Sequence, residues 1–271
     1  MNRMQHFCLR LLRRLPDNGL GHRLALLLRR PVKYGPSAEL EVDLWGLTVR
    51  LLPRGNVTET RLLCTPQFVD PAERQCIRNL LSRQDGPFLF LDAGANIGAY
   101  TYWVLACARE RARITAFEAN PAIAARLRAN LARNGFDHIR VHEVALTTKP
   151  GRLRFHVDPG NLGESGILSG EGTYAGAEGV LEVPGEPLAP YLEQQERAPD
   201  LLKIDIEGAE AEVLAAAFAA TARENFPRRI LTEFKQDDAH RPLHALLAEA
   251  GYSLEQDFGL NRLYTQEVDP R

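Results

Sequence analysis

The stretch FLFLDAGANIGAYTYWVLACA, Phe88 to Ala108, restricts what this chain can fold into more than any other. Phe88 to Leu91 is an apolar run of strand length, and it ends on Asp92, a polar residue where a buried strand reaches the edge of its sheet. Gly94, Asn96 and Gly98 then occupy every second position, so the backbone can turn sharply and approach a ligand without interference from Cβ atoms. Tyr100 to Ala108 reads as a helix, whose start offers unpaired N–H groups and a partial positive charge to an anionic ligand group. A dinucleotide fingerprint requires glycines at 94, 96 and 99. This chain has Gly94, Asn96 and Ala99, which argues against an NAD loop.

Downstream segments extend the same alternation of strand and helix. Ile114 to Phe117 is a second short strand ending on Glu118, 24 residues past Gly94. An acid there can accept hydrogen bonds from both ribose hydroxyls of a nucleoside. Asn120 and Pro121 start a helix with Ile123, Leu127 and Leu131 on one face, stopped at Asn134-Gly135. Ile139 to Leu146 reads as a third strand. LLKIDIEGAEAEVL, Leu201 to Leu214, is a buried strand interrupted only by Lys203 and Asp205, then a Glu207-Gly208 turn and a helix from about Ala209. Ionisable groups at the C-terminal end of a central parallel strand lie where open α/β sheets bind ligands. A Lys203–Asp205 or Lys203–Glu207 ion pair fixing the turn is the structural alternative. Ile230 to Phe234 is a further strand, Leu243 to Ala250 a helix closed by Gly251, and Tyr252 to Phe258 with Arg262 to Gln266 a terminal hairpin.

DAGANIG resembles the cofactor loop of class I S-adenosylmethionine (SAM) methyltransferases, and its Gly-Ala-Asn-Ile-Gly core resembles the FkbM subfamily. Phe117-Glu118-Ala119-Asn120-Pro121 is similar to that family's Phe-Glu-Pro-x-Pro, with Ala119 in place of the first Pro, and Leu201 to Leu214 is the strongest part of the likeness, which spans roughly Asp70 to Gln266. The resemblance implies an α/β, Rossmann-like fold: a seven-strand, mostly parallel sheet with a C-terminal antiparallel hairpin and helices on both faces. It implies SAM as cofactor, held by Asp92, Gly94, Asn96, Gly98 and Glu118, with Glu143, Val144 and Ala145 beside the adenine. The reaction implied is O-methylation of a hydroxyl on a sugar, glycan or natural product. Because a sulfonium is already an activated donor, such an enzyme must place the acceptor in line and help remove its proton. Asp205 and Glu207 are the candidate bases, with Lys203 as charge partner; His142 and His156 are alternatives. Asp205, Glu207 and Glu233 form a conceivable divalent-cation cluster orienting a sugar diol. Asn161, Gly163 and Ser165 match an Asn-x-Gly-x-Ser pattern associated with the family, in a Gly-rich, aperiodic stretch (Pro159 to Pro187) read as a substrate-facing lid.

Charge divides the chain. Residues 1–34 carry seven Arg and one Lys against Asp17, a net +7, and the remainder carries −9 of the total −2. A catalytic region of that sign repels phosphates, so no nucleic-acid partner is expected. Residues 1–34 read as two basic amphipathic helices broken at Pro16, Asn18 and Gly19, with Cys8, Leu11, Leu12 and Leu15 on one face and Leu20, Leu24, Leu27 and Leu28 on the other helix's. The expectation is that these faces pack on the chain's own domain; docking on an anionic membrane or a protein is the alternative. Residues 35–86 read as a hairpin (Glu39 to Leu52) and a helix started by Asp70 as N-cap and Pro71, a lead-in without evident chemistry, and residues 87–271 as the cofactor domain. Four cysteines without CxxC spacing read as buried free thiols. The longest apolar run near the N-terminus, Leu24 to Leu28, is too short for a signal peptide or membrane span, which sets the expectation of a cytoplasmic, at most membrane-peripheral, protein. Rival readings are an NAD-dependent oxidoreductase and a non-catalytic adaptor retaining the fold.

Overall fold

In a computed structural model, which describes residues 3–54, 56–157, 165–167, 180–234 and 241–267, the chain opens with helices α1 (Arg3–Leu12) and α2 (Gly19–Lys33), the latter capped by the Asn18 side chain accepting from the Gly21 N–H. A hairpin follows, β1 (Leu40–Leu44) and β2 (Leu47–Leu51). Its two-residue turn holds Trp45 and Gly46 at φ of 56° and 84°, as a tight hairpin of matching twist requires. Helices α3 (Val57–Cys64) and α4 (Pro71–Ser82) complete the lead-in.

The main sheet starts with β3 (Phe88–Ala93), buried at every residue as its unbroken apolar run demands. Then come α5 (Ala99–Ala108), β4 (Ala112–Phe117), α6 (Pro121–Arg133) and β5 (Arg140–His142). A second sheet is built from β6 (Ala145–Leu146), β7 (Gly151–Val157), β8 (Ser165–Ile167) and β9 (Val180–Glu186). After α7 (Ala189–Glu193) the chain returns to the main sheet through β10 (Leu201–Ile204), α8 (Glu210–Ala220), β11 (Arg229–Glu233), α9 (Arg241–Glu249), β12 (Tyr252–Asp257) and β13 (Asn261–Gln266).

The main sheet runs β12-β13-β11-β10-β3-β4-β5, with β13 antiparallel to both its neighbours and the other pairings parallel. This is the expected seven-strand sheet, and its order reverses between β3 and β10, where an open α/β sheet forms a ligand crevice. The predicted strand from Ile139 to Leu146 is divided: β5 stays in the main sheet, whereas β6 pairs with β9 in the second. Within the stretch read as aperiodic, β8 and β9 pair with β7. Alternation is weak there because Gly and Pro interrupt it; pairing partners far along the chain define these strands.

Two further expectations need correction. Asp70 sits in the left-handed region (φ 41°) and makes no side-chain cap; Pro71 alone marks the start of α4. In α1 and α2 the buried residues are Gln5, Cys8, Leu9, Leu12, Gly21, Ala25 and Val32, while Leu11, Leu20, Leu24 and Leu27 are exposed. Of these, Cys8, Leu9, Leu12, Ala25 and Val32 join one continuous core with Leu44, Leu63, Phe90 and Trp103, so the lead-in and cofactor region share their apolar interior. A buried ion pair pins the lead-in to α6: Arg126 donates to both carboxylate oxygens of Glu59 at 2.7 and 2.5 Å. Asn130 on α6 and Asn134 at its C-terminal cap bond reciprocally to the backbone of β2 at Arg50 and Thr48, standing in for a neighbouring strand. All four cysteines are free, and burial pushes the Cys64 thiol up to about 12, as suits an inert core thiol. Among the described residues, no helix is long and apolar enough to cross a membrane.

Candidate active site

The loop after β3 is shaped by three left-handed residues in alternation, Gly94 (φ 74°), Asn96 (φ 51°) and Gly98 (φ 98°). Gly94 is required by proximity as well as by conformation: a Cβ there would stand 1.8 Å from the Asp205 carbonyl oxygen. Asn tolerates its conformation because its side-chain oxygen accepts from the Ile97 N–H (2.8 Å) and from Asn56 Nδ2 (2.8 Å). The N–H groups of Gly94 and Ala95 both donate to the Phe117 carbonyl, fastening the loop to the end of β4. Asp92 lies under this loop. Its Oδ2 accepts from the Thr101 N–H (3.1 Å) and hydroxyl (2.6 Å), which anchors the first turn of α5, and burial pushes its carboxyl above the usual range against the pull of Lys203.

Glu118 stands at the opposite wall. One carboxylate oxygen accepts from the Asn96 N–H and the other from the Asn120 N–H, both at 2.8 Å, so two backbone amides fix its plane while it lines the cleft. Burial raises its pKa to about 7, with the two amides and Lys203 opposing the shift. Phe117, Ala119, Ile123, Val144, Ala145 and Leu146 give this end of the cleft an apolar lining.

At the other end, Lys203 on β10 is buried, with Nζ 3.1 Å from Asp205 Oδ2, 3.4 Å from the Gly94 carbonyl and 5.4 Å from the centroid of the Tyr100 ring. Burial alone would lower its pKa, but Asp205 and Asp92 outweigh that and hold the ammonium charged. Lys203 is therefore a fixed cation that orients Asp205. Glu207, also on the wall, has φ 58°, an uncommon conformation for a non-glycine residue. It is maintained by the buried Glu210, whose Oε1 accepts from the N–H groups of Ile206 (2.8 Å) and Gly208 (3.2 Å).

The structure thus brings Gly94, Asn96, Glu118, Val144, Ala145, Lys203, Asp205 and Glu207 to one cleft. Asp92 and Gly98 act behind it, Gly98 by making room for Leu127, against which a Cβ would stand at 2.5 Å. Glu143 is ion-paired with Arg128, and among the described residues the lining of the cleft includes its neighbours Val144 and Ala145 rather than Glu143 itself. Glu233 is not among the lining residues, and among the described residues no three His, Cys, Asp or Glu converge on a metal position, so the cation cluster expected from sequence is not assembled. His142 stacks on Phe117 and packs edge-on against Tyr191, and it is not among the residues lining the cleft. Asn161 and Gly163 and the side chains of His156 and Ser165 lie outside the described residues.

Sequence reasoning missed the contribution of the lead-in. Thr58, Arg61, Val69 and Asp70 line the cleft, and Asp70 accepts a 3.1 Å hydrogen bond from the Tyr100 hydroxyl. Burial and Asp70 hold that hydroxyl well above the usual tyrosine range. Asp70 faces the same space as Asp205 and Glu207. The sequence carries no signal for this, because Asp before Pro71 reads as a helix cap and its left-handed conformation shows only in the backbone.

The family model described as the methyltransferase FkbM domain matches residues 92–254. The 2-O-methyltransferase NoeI of Sinorhizobium fredii is 28% identical over 186 residues, covering 63% of this chain and 73% of that protein. The hexuronic acid methyltransferase AglP of Haloferax volcanii is 28% identical over 184 residues, 68% of this chain and 71% of its own. Among solved structures, an O-methyltransferase from Bacillus cereus in complex with SAH aligns with a TM-score of 0.43 and 14% identity, over 72% of this chain and 80% of that one.

Proposed function

Because the chain belongs to the FkbM family of SAM-dependent methyltransferases, we propose that it methylates a hydroxyl oxygen of a sugar or glycan acceptor, with Asp205 as the base. The observation that supports this reading is that one cleft is lined both by Glu118 with apolar neighbours and by the carboxylates of Asp70, Asp205 and Glu207. Kinship with NoeI and AglP supports the oxygen acceptor and the sugar class. The oxidoreductase and adaptor readings have no comparable support.

The lining suits SAM. Glu118 is held so that both oxygens keep lone pairs for ribose hydroxyls, Ile123, Val144 and Leu146 offer apolar contact to an adenine, and the acidic end attracts a sulfonium. When bound there, SAM supplies an electrophilic methyl group. The chain's own task is then positional: Asp205, fixed by Lys203, accepts the proton of an acceptor hydroxyl, and Asp70 and Glu207 offer further hydrogen-bond acceptors for neighbouring hydroxyls.

Calorimetric titration with SAM and its demethylated product tests the cofactor end. Glu118→Ala is expected to weaken SAM binding by about 1.5–3 kcal/mol, the worth of hydrogen bonds to a charged group, with the fold intact. The raised pKa adds a pH signature. Ribose hydroxyls donate to the carboxylate, which the free protein holds protonated below about 7, so affinity rises with pH and levels off above it. Below that point a loss of roughly tenfold per pH unit is expected, and Glu118→Gln abolishes the dependence. A flat profile for the wild type would remove Glu118 from the site.

A further inference from the structure

We propose that the α1–α2 hairpin is a docking surface for an anionic membrane. One side of each helix is committed to the core through Cys8, Leu9, Leu12, Ala25 and Val32. The other sides are apolar and open: Met4 and Phe7 are each 59% exposed, Leu20 67% and Leu27 64%, with Leu11, Leu24 and Leu26 also exposed. At helical spacing Met4, Phe7 and Leu11 form one stripe on α1, and Leu20, Leu24 and Leu27 another on α2. Scattered exposed leucines are ordinary, but two contiguous stripes on adjacent helices are a surface that expects a partner.

Charge identifies the partner. Arg3 and Arg10 flank the first stripe and Arg23 and Arg30 the second, all of them exposed. Among the described residues none of Arg10, Arg23, Arg29 and Arg30 is held in an ion pair. Apolar side chains bordered by guanidinium groups match an interface that is hydrocarbon beneath and phosphate above. The segment carries +7 and the rest of the chain −9, so an anionic surface attracts this face and repels the others, which fixes the orientation of docking. A second copy of the chain would have to bury the same arginines against acids placed to match both stripes, a requirement that a fluid layer of phosphates does not impose.

The test is flotation of the 271-residue chain with phosphatidylcholine vesicles, with and without phosphatidylglycerol. Binding to the phosphatidylglycerol vesicles alone is expected, released by high salt. Leu20→Ser/Leu24→Ser/Leu27→Ser is expected to lower vesicle binding by about tenfold or more. Arg10→Glu/Arg23→Glu/Arg30→Glu is expected to abolish it. All six side chains are exposed and outside the cleft, so an unchanged SAM titration and circular dichroism spectrum certify the fold of both variants. Absence of binding to anionic vesicles, or binding untouched by either variant, overturns the proposal. So does a dimer seen by light scattering that the serine variant dissociates while vesicles are ignored, which would give the face to a second copy.

Discussion

Gly94→Ala is expected to destabilise the protein by about 3 kcal/mol or more and to abolish SAM binding. Two separable effects add. Alanine at φ 74° carries the cost of a left-handed residue, roughly 1–2 kcal/mol. Its Cβ would also stand 1.8 Å from the backbone oxygen of Asp205, which cannot rotate away as a side-chain tip could. The loops after β3 and β10 must therefore part, and the Asp205 N–H bond to the Ala93 carbonyl is lost with them. Gly135→Ala isolates the first effect, because Gly135 has nearly the same φ, 77°, with open space around it. Thermal unfolding should fall by about 10 °C for Gly94→Ala and by only a few degrees for Gly135→Ala. Equal shifts would mean that the close approach of the two loops is not what Gly94 provides.

That contact also marks the boundary of what the sequence made legible. Gly94, Asn96 and Gly98 announced a sharp turn, and Glu118 and Lys203–Asp205 announced the ends of two strands, because each is a local pattern of residue type and spacing. The seven-strand sheet followed from the same kind of signal. What stayed hidden was set by neighbours distant along the chain. The ion pair that Glu143 makes with Arg128, on the helix before it, has no signal in residue spacing. Asp70 looked like a helix cap, yet its backbone turns it toward Tyr100. Leu20, Leu24 and Leu27 had the period of a core face, but the core accepted the Ala25 and Val32 side of the helix instead. Periodicity states that a helix has an apolar stripe; only the packing partner decides whether that stripe is covered.

Asp205→Asn is expected to slow turnover by about a hundredfold or more while leaving SAM affinity nearly unchanged. The substitution keeps the shape and, through the amide oxygen, a contact for Lys203, but removes the proton acceptor. In the native site Lys203 is no competing base, because Asp205 and Asp92 outweigh burial and hold its ammonium charged. Asp70→Asn and Glu207→Gln separate the remaining candidates: a comparable loss in either, with Asp205→Asn active, would move the base there. The size of the effect also reports the acceptor atom. A carboxylate acceptor arrives without a proton and needs no base, so its methylation would survive Asp205→Asn. The three carboxylates at this end of the cleft would repel such an acceptor, with Lys203 and Arg61 the cations among the described lining residues to offset them. A hydroxyl acceptor instead finds hydrogen-bond acceptors on three sides. Full activity of Asp205→Asn, Asp70→Asn and Glu207→Gln alike on a uronic acid, with the product's new methyl group located on its carboxyl by mass spectrometry, would show that the acidic wall had been misread and that the carboxyl group is the methylated one.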